Sequence, residues 1–233
     1  MMNARKKEQL ITLANKRRAD NFFSRGSCRF CYMQPESLHK DFWNKNYSKF
    51  EHLVSPWSVA SCNLDSDFMI VGQDWLSEDK LSTVNEEILN VGRDESLDTN
   101  KNLKKYLNGL NLDIEDVFST NLFPFVKPGN MSSSIPVADF DYAFENYLKP
   151  QIKIIRPKVI VALGASVFKQ FFRASGDKSY RSFSEMIKIG HVDFLNSRVF
   201  PVYHPGKMGT NNAGSFEEAQ KLWDAIKNYK LEL

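Results

Sequence analysis

Four polar residues of this sequence stand just beyond apolar runs that are typical of buried β-strands. They are Asp74, Asn121, Ser166 and His204. A carboxylate can orient or deprotonate water, and an amide can read the hydrogen-bonding edge of a heterocycle. A histidine can stabilise the negative charge that develops on a leaving group. Together these groups suit the hydrolysis of a bond between a sugar and a heterocyclic base.

Each of these residues also has a purely structural explanation. Gln73 and Asp74 would cap a following helix, and Asn121 would satisfy the backbone of a loop. Ser166 would cap its own helix, and His204 would be a packed turn residue. A single site explains all four positions at once, so we favour the functional interpretation.

Strand and helix patterns alternate along the chain and place these residues together. The predicted strands are Phe68–Val71, Val117–Thr120, Lys158–Leu163 and Arg198–Tyr203. Helical spacing is predicted over Glu78–Leu89, Leu103–Leu110, Phe140–Ile155 and from a capping box at Ser215 and Glu218 onwards. Because parallel strands need helical crossovers, the pattern predicts one α/β domain with a central four-stranded parallel sheet flanked by helices. The carboxyl ends of the strands then share one edge, where open α/β sheets bind ligands.

The start of the chain is basic and only weakly periodic. A helix is predicted over Lys6–Arg18, followed by an irregular segment over Met33–Ser66. We therefore expect residues 1–66 to form a basic N-terminal extension that packs on a core domain of residues 67–233. The excess charge could track phosphates or form a solvated helix face. The basic residues are Arg5, Lys6, Lys7, Lys16, Arg17, Arg18, Arg25 and Arg29.

Composition narrows the class of protein. The 233 residues are 42% hydrophobic and 25% charged, which are ordinary values for a globular domain. The net charge of +3 is too small to indicate nucleic-acid binding by itself. The sequence shows no secretory leader and no apolar run of bilayer length, so we expect a cytoplasmic protein, and a monomer. The sequence has no dinucleotide-binding or P-loop glycine pattern, which disfavours a nucleotide-binding enzyme.

The three cysteines do not complete a recognisable metal site. Cys28 and Cys31 form a CxxC pair, which is half of a zinc or iron–sulfur site. The other half would have to come from Cys62, His39 or His52, whose spacing matches no standard pattern. We predict no bound metal, and Cys28, Cys31 and Cys62 are the ligands to test.

Several segments, in their order along the chain, resemble motifs of the uracil-DNA glycosylase superfamily. Gly72-Gln73-Asp74 is similar to the opening of the first motif of uracil N-glycosylase, and Tyr203-His204-Pro205 stands where the superfamily keeps its last motif. Thr120-Asn121 with Pro128-Gly129-Asn130, and the run Arg156–Ala165, resemble the family-four enzymes of bacteria and archaea. The resemblance covers the chain after residue 66 and implies an α/β/α sandwich.

The resemblance implies a role for each matched position. Asp74 would handle the water and the oxocarbenium charge, and His204 would hydrogen-bond the O2 atom of the base. Met208 would enter the duplex in place of the flipped nucleotide. The implied catalytic residues are Asp74 and His204. The implied base-binding residues are Gln73, Trp75, Asn90 and Asn121. The implied DNA-binding residues are Lys127, Ser166, Lys207 and Met208.

Three departures from the family pattern bear on cofactor and substrate. Phe125 and Phe144 stand where family-four enzymes have two of the cysteines of an iron–sulfur cluster, so we expect no cofactor. Leu76 stands where uracil N-glycosylase has a tyrosine that excludes thymine. Asn90 replaces the phenylalanine that stacks on the flipped base, a role that Trp75 could take over.

The resemblance predicts a monofunctional DNA glycosylase. It would flip a deaminated or modified pyrimidine out of single- or double-stranded DNA and hydrolyse the N-glycosidic bond, leaving an abasic site for base excision repair. Uracil is the first candidate base. A bulkier 5-modified pyrimidine, as in phage DNA, is the second, motivated by Trp75, Leu76 and Asn90. A catalytically weak DNA-binding protein of the same fold is the third.

Overall fold

The computed structural model describes residues 2–21, 32–176 and 181–231. Its strands are β1 (Phe68–Asp74), β2 (Phe118–Phe123), β3 (Val159–Leu163), β4 (Val192–Phe194) and β5 (Ser197–Val202). Its helices are α1 (Met2–Ala19), α2 (Lys40–Lys45), α3 (Tyr47–Phe50), α4 (Glu86–Val91), α5 (Asp98–Gly109), α6 (Val137–Ala143), α7 (Lys149–Ile155), α8 (Ala165–Ala174), α9 (Phe183–Ile189), α10 (Lys207–Ala213) and α11 (Phe216–Lys230). Short 3-10 turns cover Pro35–Ser37, Pro56–Ser58, Glu78–Thr83 and Ile114–Asp116.

The strands form one five-stranded sheet in the order β2-β1-β3-β5-β4. The four predicted strands are parallel: β1 pairs with β2 and β3, and β3 pairs with β5. The predicted parallel sheet is therefore confirmed. The fifth strand, β4, runs antiparallel to β5 and is absent from the prediction, because three residues are too few to show a period.

Alternating side chains give the sheet two apolar faces. Met69 and Val71 pack into a cluster with α1, α6, α7 and α8. Phe68 and Ile70 pack into a second cluster with α5 and α11. Every residue of β3 is buried, as expected for a strand that is covered on both faces. The result is a three-layered α/β/α sandwich.

Two of the predicted helices differ from the observed ones. The segment predicted as one helix over Glu78–Leu89 is a 3-10 turn followed by α4, which begins after the N-cap Asn85. The two pieces are separated by Val84 and Asn85, whose backbones are extended and interrupt the helical path. The long helix predicted over Phe140–Ile155 is observed as α6 and α7 joined by a π-helical turn, Phe144–Leu148.

The N-terminal segment contributes to the core. Leu10, Leu13 and Ala14 of α1 are buried in the cluster that contains Met69. The segment predicted as irregular holds α2 and α3, and its Phe42, Trp43, Phe50 and Leu53 form a third apolar cluster with Val84 and Leu89. Arg25, Cys28, Arg29 and Cys31 lie outside the described residues. Within the described ranges, no helix has the length and apolar character that crossing a bilayer requires.

Candidate active site

The carboxyl edge of the sheet gathers the predicted catalytic groups. Asp74 is the last residue of β1, and His204 follows β5 by two residues. The chain passes from β1 to β2 on one side and later returns to β3 on the other, so the end of β1 lies at a topological switch point. Asn121 was predicted to follow its strand but lies inside β2, opposite Gly72.

The Asp74 carboxylate is buried and held by two neighbours. Its side chain is only 4% exposed, and Lys127 Nζ lies 3.1 Å from Oδ2. Gln73 Nε2 donates to Oδ1 at 2.8 Å. Asp74 caps no helix, because the following 3-10 turn has Ser77 as its N-cap. A carboxylate fixed between a cation and an amide is suited to orienting water or opposing a nearby positive charge.

Lys127 faces the interior, which differs from the predicted phosphate contact. Its side chain is 2% exposed, and Nζ donates to Met131 O at 2.7 Å as well as contacting Asp74. The backbone of Lys127 is anchored at this place, because Lys127 O accepts a hydrogen bond from Glu78 N at 2.9 Å. The ammonium group is thus a neighbour of the carboxylate and is turned away from the surface where a phosphate would lie.

The Asn121 amide is held in one orientation. Ser55 Oγ donates to Asn121 Oδ1 at 2.5 Å, while Nδ2 makes no hydrogen bond to the residues that the structure describes. A Cβ atom placed on Gly72 would lie 2.9 Å from this Nδ2 and 3.2 Å from the Trp57 ring. Gly72 therefore leaves the space that the amide occupies, and Asn121 offers free N–H donors rather than satisfying a loop.

Sequence reasoning missed the segment that supports this amide. Ser55 caps the 3-10 turn Pro56–Ser58, and its Oγ accepts from Trp57 N at 3.3 Å. Ser58 Oγ donates to Ser119 O of β2 at 2.5 Å. The Ser-Pro pair is a readable turn signal, but the sequence has no signal that places this turn beside Asn121, 66 residues away.

Arg93 holds the same turn from behind. Its guanidinium donates to Ser61 Oγ at 2.6 Å and lies 5.6 Å from the centre of the Trp57 ring. Burial lowers the pKa of Arg93 to about 10, opposed by Glu95 and Glu115. The side chain therefore remains charged at neutral pH.

His204 presents a donor to the crevice. Gly206 N donates to Nδ1 at 3.1 Å, so the proton of the neutral imidazole is assigned to Nε2. Part of the residue is exposed, but the surrounding protein restricts its hydration, which lowers the pKa of His204, while the Asp74 charge acts in the opposite direction. Asn102 Nδ2 fixes the loop by donating to Pro205 O at 2.9 Å.

The remaining predicted DNA contacts lie at the start of two helices. Ser166 is half-buried in the first turn of α8 and does not cap it, because the N-cap is Gly164. Lys207 and Met208 are the first residues of α10, and Met208 is 78% exposed. The side chains of Lys207 and Met208 are exposed where DNA would approach, and the contacts themselves stay predictions.

Two residues predicted to bind the base, Trp75 and Asn90, make hydrogen bonds within the protein. Trp75 Nε1 donates to Gly92 O at 2.9 Å, and its ring packs against the second and third apolar clusters. Asn90 is exposed on α4 and donates to Glu86 O of the same helix at 2.9 Å. These contacts give no support to base binding by Asn90, because its described bond is to its own helix.

The described residues do not supply a cysteine cluster. Burial raises the pKa of the Cys62 thiol to about 12, which keeps it protonated at neutral pH. Phe125 and Phe144 are both buried in the first apolar cluster, where ring carbons replace any ligand atom. No group of three or more His, Cys, Asp or Glu side chains is placed to hold a metal in the described ranges. Cys28 and Cys31 are outside them.

Comparison with known proteins places the chain in a family. The model of the uracil DNA glycosylase superfamily matches residues 59–227. The chain belongs to this superfamily. A type-4 uracil-DNA glycosylase from Sulfurisphaera tokodaii is 34% identical over 102 residues, which cover 41% of this chain and 43% of that enzyme. The matched part is thus less than half of this relative, and Ser55 and Trp57 precede the part of the chain that matches the superfamily.

Proposed function

We propose that this protein is a monofunctional DNA glycosylase that excises a flipped-out deaminated or modified pyrimidine, with uracil as the first candidate. The observation that carries the proposal is the buried Asp74 carboxylate at the carboxyl edge, near the free amide of Asn121 and the Nε2 donor of His204. Membership of the superfamily supports the same class of hydrolase.

The proposed reaction breaks the bond between the sugar C1′ and the base N1, and the electron pair leaves with the base. Asp74 stabilises the oxocarbenium ion and orients the water that adds to C1′, whose proton passes to the carboxylate and then to solvent. His204 Nε2–H donates to the base O2, where negative charge collects. Asn121 Nδ2–H donates to O4. The departing base takes a proton from solvent, and an abasic site remains.

DNA would approach along the same edge. Lys207 supplies a positive charge at the surface, and the exposed Met208 is an apolar wedge for the space that the flipped nucleotide leaves. Ser166 lies in the first turn of α8, a ten-residue helix whose free backbone N–H groups favour an anion. These contacts would offset the few kcal/mol that flipping costs.

A bulkier 5-modified pyrimidine is a second candidate substrate. Leu76 packs against the third apolar cluster, around Phe42 and Trp43. The Leu76 side chain therefore packs inside the protein and places no aromatic ring against the C5 edge of a pyrimidine. Activity on a 5-substituted base, with little on uracil, would favour this candidate.

A panel of single-lesion oligonucleotides tests the reaction. The strands carry uracil, a thymine mispair, hypoxanthine or a 5-modified pyrimidine, and abasic products are revealed by alkali. We expect the uracil strand to be cleaved, and to be cleaved only when alkali is added. Cleavage without alkali would contradict the monofunctional assignment, and silence across the panel with DNA binding intact would favour a catalytically weak DNA-binding protein.

Replacing the carboxylate tests the role of Asp74. We expect Asp74→Asn to lower the rate of base release at least about a hundredfold, because the charge that stabilises the oxocarbenium ion is lost. DNA affinity should be unchanged or higher, since a carboxylate repels phosphate. Single-turnover kinetics and fluorescence anisotropy measure the two effects. Asp67→Asn, at the opposite end of β1, is the matched control, and equal rates in both variants would sink the assignment.

A further inference from the structure

The Ser55 hydroxyl determines which face of the Asn121 amide is free. Ser55 is completely buried, and its Oγ already accepts a hydrogen bond from Trp57 N. The hydroxyl hydrogen then needs an acceptor, and Asn121 Oδ1 lies 2.5 Å from Oγ. A flipped amide would turn its N–H groups toward a buried O–H, leaving that donor unsatisfied. The environment of Ser55 thus selects one of the two amide orientations.

The backbone around the amide fits this single orientation. Nδ2 occupies the space above Gly72, where any side chain would meet it. Ser55 itself is fixed because Trp57 is 7% exposed and Arg93 lies against its ring. The turn is also tied to β2 through the bond from Ser58 to Ser119 O. The hydroxyl therefore cannot easily move away from Asn121.

We propose that Ser55 is a specificity-determining positioning residue that selects 4-oxo pyrimidines over 4-amino pyrimidines. The inference rests on the proposed function, in which Asn121 faces the base. With Oδ1 engaged by Ser55, Asn121 offers two N–H donors at Nδ2 and meets a carbonyl at C4 favourably. The exocyclic amine of a cytosine would place a donor against a donor. The same rule extends to 5-substituted bases, because it depends on C4 alone.

Binding to uncleavable strands tests the inference separately from catalysis. The probes are oligonucleotides with one 2′-fluoroarabino-uridine or 2′-fluoroarabino-cytidine, whose glycosidic bonds resist hydrolysis. Each target faces an abasic spacer in the complementary strand, so that pairing energy does not differ between probes. We expect the wild-type protein to bind the uridine probe more tightly. In Ser55→Ala the Kd of the cytidine probe divided by that of the uridine probe should fall about tenfold, which corresponds to the free energy of one buried hydrogen bond.

Ser197→Ala is the matched control, because Ser197 is a buried serine at the start of β5 that donates to Pro157 O and takes no part in holding the turn. Its ratio of Kd values should equal that of the wild-type protein. An unchanged ratio in Ser55→Ala, or a wild-type protein that binds both probes equally, would overturn the inference. If thermal melting shows that Ser55→Ala does not fold, Ser55→Thr and Ser55→Cys replace it in the test. The threonine keeps a strong hydrogen-bond donor, and the cysteine supplies a weak one. Equal ratios in these two variants would also overturn it.

A separate assay with an ordinary uracil strand distinguishes the two proposals. Failure to release uracil, together with a preference for the uridine probe that depends on Ser55, would reject the glycosylase and keep the selective site. Release of uracil without any effect of Ser55→Ala on the ratio would keep the glycosylase and reject the role of Ser55.

Discussion

Asp74 and Lys127 form a buried ion pair at the centre of the candidate site. Both side chains are less than 5% exposed, and the nitrogen and oxygen atoms are 3.1 Å apart. Removing one member of such a pair leaves a buried charge without compensation, which costs more than removing both. The lysine therefore has a structural role that is inseparable from the carboxylate it faces.

A double-mutant cycle measures this coupling. We expect Lys127→Met to destabilise the protein by about 3 kcal/mol, because it leaves the carboxylate buried and unpaired. The double variant Asp74→Asn with Lys127→Met should recover at least about 1 kcal/mol of that loss. Urea denaturation gives the unfolding free energies, and additive effects would show that the two groups are not coupled.

The hydrogen bond to Nδ1 of His204 makes the neutral imidazole the working form. Because restricted hydration lowers the pKa of His204 below its ordinary value of 6.5, the ring stays neutral throughout the range above that pH. We expect the contribution of His204 to kcat/KM to be constant above pH 6.5 and to fall only below it. Rates of uracil release across this range measure the effect.

Two variants test whether His204 causes the fall in kcat/KM below pH 6.5, the acid limb of the pH profile. In His204→Gln the limb should disappear, and kcat/KM should fall about a hundredfold through loss of the donor to O2. His191→Gln, next to β4 and away from the site, should keep the profile. A limb that persists in His204→Gln belongs to another group.

At the scale of elements, the site depends on two segments tied side by side. Glu78 N donates to Lys127 O at 2.9 Å, and Asp79 N donates to Gly129 O at 3.0 Å. The chain beyond β1 is thereby fixed to the chain beyond β2, so Lys127 is held facing Asp74. The pairing involves the first residues of the 3-10 turn, and α4 begins only at Glu86, after the extended N-cap Asn85.

The helix α10 carries the exposed apolar residue at the edge of the site. We expect Met208→Ala to lower kcat/KM about tenfold on duplex uracil DNA and little on single strands, because only the duplex must be held open. The comparison of the two substrates is the measurement. Leu195→Ala is the control, since this exposed leucine lies at the opposite end of β5. Equal losses on both substrates would argue against a wedge.

At the scale of the whole molecule, the basic N-terminal helix is used to hold the fold together. Arg17 is completely buried and binds Glu36 with both of its terminal nitrogens, and Arg18 also contacts Glu36. Lys6 donates to Leu64 O and Ile155 O. Lys6, Arg17 and Arg18 are therefore engaged with the protein, whereas Arg5 is exposed, and a contact between this helix and phosphate stays a prediction.

Glu36 makes this attachment depend on pH. Burial alone would raise the pKa of Glu36, but Arg17 and Arg18 outweigh it and lower the value from 4.5 to about 2. The carboxylate therefore contributes roughly 3 kcal/mol to stability above pH 4.5, which is lost as the pH falls from 4.5 towards 2. We expect Glu36→Gln to be less stable at neutral pH, with a flatter dependence of stability over the acid range.

Chemical denaturation at a series of pH values checks this expectation. Glu145→Gln is the matched control, because Glu145 is 56% exposed and pairs with Lys149 four residues further along the chain. Its pH dependence should match that of the wild-type protein. A wild-type slope in Glu36→Gln would show that the N-terminal helix is held by other contacts.

The sequence by itself determined that the four predicted strands are parallel and that Asp74 and His204 stand at strand ends, because apolar runs and their alternation with helices are patterns along the chain. It also indicated hydrolysis of a bond between a sugar and a base, since the types of residue that follow the predicted strands can be read from the sequence. Only the tertiary structure decided what surrounds those groups. Ser55 reaches Asn121 across 66 residues, and Lys127 turns inward to Asp74, through contacts that leave no periodic trace. Side-chain partners of this kind are set by packing between distant segments, so they become visible only when the chain is folded.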